Sequence, residues 1–298
     1  MLRLLPALVV LSALVSAALP TPARAYCRLT TEDPEPMIGC AAPGTWLEWR
    51  RQCLSFSVVA RSASEPDFER IRDEASFAFG AWAAAECDGR PLPLEISQTT
   101  ELSSCEEPEY NLYSPNSNSI IFVEDWSGQD LPLEAIGLTS IHYNFKDGEI
   151  LDSDIQINDS GLPLAICTPG DCQRGMIDVR NVIVHEAGHF LGLGHSNDSE
   201  ATMSFEASSG ETKKRDLHAD DVEGICAMYG ALPEPDCRDA DFQPDNGFGA
   251  PCVGPEEPPT RTVCSCAVPG GGARPRSGAW LLPLFACVLG ARLRRRRC

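Results

Sequence analysis

Three histidines and one glutamate lie close together, in the order His185-Glu186-x-x-His189 and then His195. On a helix, residues four positions apart share a face, so His185 and His189 can direct two imidazoles at one metal ion. Glu186 lies beside that face, where a general base for an activated water belongs. Gly192 can adopt the positive φ that ends a helix and turns the chain, so that His195 supplies a third imidazole. Three imidazoles with an open fourth position are typical of a catalytic zinc site.

The alternative is a buried helix whose histidines bind no metal. Three of the five histidines of the chain fall within this stretch, and the glycine and third histidine stand at fixed offsets, which favours the metal site. Among metals, zinc suits imidazole ligands in an open tetrahedral site best.

This motif resembles that of the metzincin metallopeptidases, and within them the matrixins (peptidase M10 type), because Leu-Gly-Leu-Gly precedes His195 and Ser196 follows it. Residues 216–230 are similar to the closing helix of matrixin catalytic domains. The resemblance implies a zinc metalloendopeptidase in which Met203 forms the methionine turn beneath the metal. Ser204 and Phe205 replace the tyrosine and proline usual in matrixins, so the shape of the specificity pocket is not carried over.

The pattern of apolar, polar and capping residues predicts the strands and helices that position this motif. Residues 54–60 alternate and are β-branched, which predicts a strand. A capping box at residues 64–67 predicts a helix that runs to about Glu86. Four further strands are predicted at residues 92–100, 119–126, 135–144 and 149–158. These elements indicate an α/β (α+β) layer.

The resemblance implies a metzincin-like fold: a twisted five-stranded mixed sheet with one antiparallel edge strand, a long helix, a zinc-site helix and a C-terminal helix. Residues 135–143 would be the edge strand, along which an extended substrate backbone pairs. Asp178 is a suitable N-cap for the zinc-site helix. The closing helix is predicted to begin near Ala219, and Asp220 and Asp221 in its first turn either cap the helix or brace the segment beneath the zinc.

Several polar residues with side-chain oxygens lie close together in and just after the last predicted strand. Asp152, Asp154, Asn158 and Asp159 offer oxygen ligands, and matrixins bind structural calcium (Ca²⁺) in roughly this region. Acids that form turns or end strands are the more ordinary account of the same residues. Matrixins also carry a second, histidine-rich zinc site; only His142 is available nearby, so this second zinc is not expected.

The N-terminus predicts export. Arg3, an apolar run over residues 4–18 and Ala-Arg-Ala before Tyr26 form a secretory signal. The fourteen cysteines are then expected to form disulfide bonds. Cys167 and Cys172 enclose a turn sequence and predict a local bridge. The remaining cysteines of the first half are expected to staple that half, with their pairing open: Cys27, Cys40, Cys53, Cys87 and Cys105.

The net charge of −19 disfavours binding to nucleic acid and to anionic membranes. The expected partner is a protein or peptide substrate, bound by a monomer whose contact with a membrane is made only through the C-terminal tail. The cysteine-switch motif of matrixin propeptides, P-R-C-G, does not occur in the chain. Cys27 is the conceivable latch, although a disulfide is the better interpretation.

Composition divides the chain into a signal peptide (1–25), a Cys/Pro-rich lead-in (26–53), a matrixin-like zinc metallopeptidase domain (54–232), a Pro/Asp/Cys-rich stalk (233–266) and a C-terminal tail (267–298). The stalk shows no helical or strand period and is expected to be stapled by disulfides or disordered. In the tail, an apolar run over residues 278–291 precedes a cluster of arginines. The tail resembles MYXO-CTERM sorting tails, which implies Cys264 or Cys266 as the modification site and an outer-membrane, cell-surface location. A plain single-span anchor is the alternative.

The sequence thus predicts a secreted or surface-tethered zinc endopeptidase. Two other classes stay open: a catalytically inactive zinc-binding surface or adhesion protein, and a zinc hydrolase of a non-peptide amide bond. Glu186 argues against the first, because a site that only holds metal does not need a base.

Overall fold

A mixed β-sheet forms the centre of the molecule. The computed structural model describes residues 25–32, 40, 43–59, 68–100, 105–129, 131–168, 171–249 and 261–264. Five strands of the sheet match the five predicted from the sequence and confirm the fold class. They are β1 (Cys53–Val58), β2 (Glu95–Gln98), β3 (Ser119–Val123), β4 (Gly137–Tyr143) and β5 (Ile150–Asn158).

These strands lie in the order β4-β5-β3-β1-β2. Strands β5, β3, β1 and β2 are parallel to one another, and β4 is antiparallel to β5. Every residue of β3 is buried, as expected for a central parallel strand. β2 is shorter than predicted, because Pro93 has no N–H group to donate and the strand begins only at Glu95.

The predicted edge strand β4 is not free on its outer side. A short strand, β6 (Arg261–Cys264), pairs with it in antiparallel register, with Arg261 opposite Tyr143 and Cys264 opposite Ser140. The antiparallel orientation of β4 at the border of the predicted five-stranded sheet is therefore confirmed, and one further short strand pairs with its outer side. The pattern of β4 itself could not show this, because the strand that covers it comes more than a hundred residues later in the chain.

Three helices complete the fold: α1 (Phe68–Ala83), α2 (Val179–Phe190) and α3 (Ala219–Tyr229). Helix α1 ends before Glu86, which instead begins a two-residue strand, Glu86–Cys87. The predicted capping box at residues 64–67 lies outside the described residues. None of the helices in the described part of the chain is long and apolar enough to cross a membrane.

Helices α1 and α2 pack against each other over the main hydrophobic core. The indole N–H of Trp82 donates to the carbonyl of Val184 at 2.8 Å. The rings of Phe79 and Phe190 meet edge to face, with centroids 5.0 Å apart. Truncating one such buried aromatic side chain typically costs about 3–5 kcal/mol. This contact fixes α2, the helix of the histidine motif, relative to the sheet.

Four disulfide bonds join described cysteines. The predicted bridge between Cys167 and Cys172 is confirmed. The prediction that the early cysteines staple the first half holds for Cys27 and Cys40 and is wrong for Cys53 and Cys87, which pair with Cys237 and Cys226. Spacing along the chain could not show which distant segments meet in the folded protein. Cys27 pairs with Cys40. Cys105 is also disulfide-bonded.

The segments on either side of the predicted domain pack onto it. In the lead-in, Cys27–Arg28 pairs antiparallel with Leu193–Gly194. In the predicted stalk, Asp239–Phe242 forms a 3-10 turn. With β6, this makes two short elements in the segment, and a disulfide bond joins its Cys237 to Cys53 of the domain. That residues 233–266 form a stalk stays a prediction.

Candidate active site

Helix α2 begins at a well-supported N-cap. The Asp178 carboxylate accepts a hydrogen bond from the backbone N–H of Asn181 at 3.0 Å, as predicted. Asp178 is buried and also receives two hydrogen bonds from the Arg215 guanidinium, each 2.6 Å long. Arg215 in turn donates to the carbonyl of Cys167. This pairing of a buried carboxylate with a planar guanidinium holds the start of the helix.

The other end of α2 turns sharply. Gly192 has a φ of +94°, as its place in the motif predicts, and a Cβ there would lie 2.4 Å from the carbonyl oxygen of Leu47. Two aromatic side chains donate hydrogen bonds to carbonyls at the end of the helix. Trp49 Nε1 donates to the carbonyl of Phe190, and the Tyr229 hydroxyl donates to that of Leu191. The chain is thereby directed back towards the helix.

The three histidines converge. One ligand atom from each of His185, His189 and His195 lies within 4.8 Å of the others, and all three residues are buried. Among the described residues this is the only such group of three or more His, Cys, Asp or Glu. The Nδ1 atom of His185 lies 2.6 Å from the carbonyl of Thr202, and that of His189 lies 2.8 Å from the carbonyl of Leu193.

These hydrogen bonds decide which ring nitrogens are free for a metal. A carbonyl accepts only from a protonated Nδ1, so the Nε2 atoms of His185 and His189 carry lone pairs. Both Nε2 atoms are buried and make no hydrogen bond in the described structure. Burial lowers the pKa of His189 to about 4 and that of His185 well below its ordinary value. Neutral imidazoles with unpaired lone pairs fit a zinc ion.

Glu186 lies beside the triad and is fully buried. Its Oε2 accepts a hydrogen bond from the Thr139 hydroxyl at 2.7 Å, whereas Oε1 has no hydrogen-bond partner in the described structure. Burial raises the pKa of Glu186 to about 8, and the Thr139 hydrogen bond acts in the opposite direction. A nearby dication would also lower this pKa. The β4 strand passes close by, since a Cβ at Gly137 would lie 2.6 Å from Oε1.

Met203 lies under the histidines, where the methionine turn was predicted. It is buried, and a Cβ at Gly188 of α2 would lie 2.2 Å from its sulfur. Met203 packs directly on the helix, and only a glycine at the second variable position of the motif, Gly188, leaves room for it. Asp221 holds the turn from below and accepts hydrogen bonds from the N–H groups of Thr202 and Met203, at 2.7 and 2.9 Å. The same carboxylate caps α3, so both predicted roles of this acid are present.

Two further side chains close the space around the turn. Lys214 is buried, donates to the carbonyl of Ser204, and has its Nζ 3.5 Å from His185 Nδ1. Burial lowers the pKa of this lysine to about 8. Phe205 lies edge to face against the His195 ring, with centroids 5.1 Å apart. Phe205, one of the two residues that depart from the matrixin pattern, thus contacts His195 directly, whereas Ser204 is linked to His185 through Lys214.

The first described residues also reach the site. Oδ1 of Asp220 accepts hydrogen bonds from the backbone N–H groups of Ala25 and Tyr26, at 3.1 and 2.9 Å. Oδ2 of the same carboxylate accepts from the hydroxyl of Ser196, which directly follows His195. Asp220 therefore connects the beginning of the predicted mature chain to the third histidine.

The residues predicted to bind calcium lie in and just after β5. Asp152 and Asp154 are buried in β5, and Asn158 donates to the carbonyl of Ala135. Both oxygens of the Asp152 carboxylate lack a hydrogen-bond partner in the described structure, and Oδ2 lies 3.8 Å from His142 Nδ1. Burial and the neighbouring Asp154 raise the pKa of Asp152 well above its ordinary value. Calcium binding by these residues and Asp159 stays a prediction.

Sequence reasoning missed four contributors to the site: Thr139, Gly188, Lys214 and Arg215. Thr139 carries no local signal, and Lys214 and Arg215 lie in a Lys-Lys-Arg run that usually indicates a solvated surface. Gly188 had a usable signal, because a glycine inside a helix commonly marks a close packing contact.

Of the two cysteines proposed for tail modification, Cys264 lies in β6 and Cys266 lies outside the described residues.

Comparison with known proteins agrees with this geometry. The model of the Matrixin family (Peptidase_M10) matches residues 48–230, more than half of the chain. Metalloendoproteinase 5-MMP of Arabidopsis thaliana is 49% identical over 61 residues, which are 20% of this chain and 17% of that protein. Matrix metalloproteinase-25 of Mus musculus is 25% identical over 189 residues, which are 62% of this chain and 28% of that protein. The chain thus spans a minor part of the length of these curated relatives.

Proposed function

Because the chain belongs to the matrixin family, we propose that it is a zinc-dependent endopeptidase that is exported and acts on protein or peptide substrates. The observation that supports this best is the convergence of three buried imidazoles next to a buried glutamate. A site that only stores metal needs the imidazoles but has no use for Glu186. The family membership and the relatives, which are metalloproteinases, support peptide bonds as the target.

In this proposal His185, His189 and His195 each offer one ring nitrogen to zinc. Zinc bound there supplies Lewis-acid chemistry, which polarises a carbonyl group and makes water a stronger nucleophile near neutral pH. The carbonyls of Thr202 and Leu193 keep two of the rings in the correct tautomer and orientation. Asp221 keeps Thr202 in place through its backbone N–H, so the support extends to α3.

Glu186 is the general base of the proposed reaction. Its Oε1 has no hydrogen-bond partner in the described structure and can take a proton from water, while Thr139 keeps Oε2 in position. The same carboxyl group can then return the proton to the leaving amine. The low exposure of the site keeps bulk water from competing for this proton.

The remaining features of the proposal concern the setting of the enzyme. The signal over residues 1–25 directs export, the domain spans residues 54–232, and the tail at residues 267–298 holds the protein at the cell surface. The disulfide bonds between described cysteines fit an oxidising compartment. The protein acts as a monomer, and calcium bound near Asp152 would be structural.

The test compares three purified proteins: the wild type, Glu186→Ala and Glu200→Ala. Glu200 is an exposed acid in the loop before Met203 and serves as the matched control. Zinc content is measured together with cleavage of casein and of a peptide library, with and without a chelator. We expect all three to bind one zinc, and Glu186→Ala to lose at least about a hundredfold in kcat/KM, the usual size of a general-base effect.

Two results would contradict the proposal and favour the other classes. If the wild type binds zinc but cleaves no substrate that Glu186→Ala leaves uncut, the proposed catalysis is absent. The chain is then a zinc-binding surface protein. If it hydrolyses a cell-wall amide and no peptide, it is a hydrolase of another class.

A further inference from the structure

The strand that borders the active site is already paired with a strand from the end of the described chain. β6 runs antiparallel to β4, with Arg261 opposite Tyr143, Thr262 opposite His142, Val263 opposite Ile141 and Cys264 opposite Ser140. β4 is therefore flanked by β5 on one side and by β6 on the other.

The two ends of β4 differ in their distance from the candidate active site. Near its beginning, Thr139 donates to Glu186, and Gly137 leaves no room for a Cβ beside the same carboxyl group. The β6 strand runs towards this end, and its last residue, Cys264, is paired with Ser140, the neighbour of Thr139. β6 thus ends one residue short of the position that holds the proposed general base.

An extended peptide binds to a sheet edge by using the unpaired backbone N–H and C=O groups of the outermost strand. From Ser140 to Tyr143, the outer side of β4 faces β6. A peptide substrate that approaches Glu186 along β4 needs these same groups. It cannot pair with them while β6 is in place.

β6 is attached to the domain by a short stretch of chain. Cys237 is disulfide-bonded to Cys53, and Arg51 pairs with Asp245 at 2.5 Å. Further along, the N–H of Gly249 donates to the carbonyl of Asn116 at 3.1 Å. Only twelve positions separate Gly249 from Arg261. A tether of this length keeps the effective concentration of a tethered strand in the millimolar range.

We propose that β6 is an intramolecular competitor of the substrate: residues Arg261–Cys264 occupy the substrate-binding edge of β4 and hold activity down until they are displaced. The consequence for activity rests on the proposed function, whereas the competition for β4 does not. A strand of four residues pairs weakly enough to be released when the tail is cut or anchored elsewhere. Pairing of β6 with β4 would thus restrain the activity of a chain in which the cysteine-switch motif does not occur.

The test is the double substitution Thr262→Pro and Val263→Pro, with Thr262→Ala and Val263→Ala as the matched control. Adjacent residues of a strand direct their N–H groups to opposite edges, so one of the two prolines must remove a hydrogen bond to β4. Both alanines keep their N–H groups. Unfolding midpoints of the two proteins establish that the domain itself is unchanged.

Binding is measured first, in proteins that also carry Glu186→Ala, so that the probe is not consumed. The probe is a labelled synthetic peptide of residues 258–264 with serine at position 264. We expect it to bind the proline variant about tenfold or more tightly than the alanine control, and to restore protection from hydrogen exchange to the amides of Gly137–Tyr143. Equal affinities, or equal amide exchange in the two proteins without peptide, would overturn the proposal.

Activity is measured next, with Glu186 intact. The proline variant should show a KM for an extended peptide about tenfold lower than the alanine control, with kcat unchanged, because the competitor affects access and not the chemical step. Equal KM values in active proteins count against the inference. If every protein is inactive, the proposed function fails, while the binding comparison still decides whether β6 competes for β4.

Discussion

The hydroxyl of Thr139 offers the sharpest test of how the chain positions its proposed base. It makes the one hydrogen bond to the Glu186 side chain that the described structure shows, at 2.7 Å to Oε2. Thr139→Val replaces the hydroxyl with a methyl group of nearly the same size, so packing is kept. Thr139→Ser keeps the hydroxyl and removes the methyl group, which makes it the matched control.

The size of the effect follows from the charge of the acceptor. Hydrogen bonds to charged groups contribute about 1.5–3 kcal/mol, and about 1.4 kcal/mol corresponds to a factor of ten in rate. We therefore expect kcat/KM of Thr139→Val to fall by roughly ten- to a hundredfold, and that of Thr139→Ser to fall much less. Zinc content should not change, because Thr139 contacts none of the three histidines.

The dependence on pH separates positioning from a general structural defect. The hydrogen bond from Thr139 lowers the pKa of Glu186, so its removal raises that pKa. A base must be ionised to accept a proton, and the acidic limb of kcat/KM should move to higher pH in Thr139→Val alone. If Thr139→Val matches Thr139→Ser in both rate and pH profile, the assignment of Thr139 as a positioning residue is refuted.

Three further predictions concern stability. Arg215→Met leaves the buried Asp178 carboxylate unpaired and should lower the free energy of unfolding in urea by about 3–5 kcal/mol, whereas Arg238→Met at an exposed pair should stay within about 0.5 kcal/mol. Burial lowers the pKa of His142 to about 4, and an unfolded histidine titrates near 6.5. The wild type should therefore lose roughly 3 kcal/mol of unfolding free energy relative to His142→Gln as the pH falls from about 6.5 to about 4; equal pH dependence would contradict this. Chelation should lower the Tm reversibly, and by less in His189→Asn, because bound zinc stabilises only the folded state; a Tm insensitive to chelator would count against a metal at the triad.

The sequence was sufficient for the parts of the site that depend on local geometry. The spacing of His185, His189 and His195 places them on one helix and one turn, and Gly192 has the positive φ that this turn requires. The N-cap at Asp178 was found for the same reason, since capping involves neighbours in the chain. Five strands were found because alternation and turn residues are also local signals.

The features that sequence reasoning missed depend on contacts between distant segments. Thr139 meets Glu186 only because β4 packs beside α2, and nothing in its neighbourhood in the chain reports that contact. Lys214 lies in a run of charged residues, yet it is buried against the methionine turn. The partners of Cys53 and Cys87, and the pairing of β6 with β4, involve separations of more than a hundred residues.

Because of the contact between Asp220 and Tyr26, cleavage of the chain before Tyr26 would change the surroundings of the candidate site. In the uncut chain Tyr26 offers Asp220 a neutral amide N–H at 2.9 Å. Removal of the leader after Ala25 would convert that amide into a terminal ammonium ion, and a charge-assisted bond is roughly twice as strong as a neutral one. Asp220 also holds Ser196, next to the third histidine. A chain cut after Ala25 would therefore carry a positive charge beside the carboxylate that holds the loop of His195, in place of the two neutral N–H donors of the uncut chain.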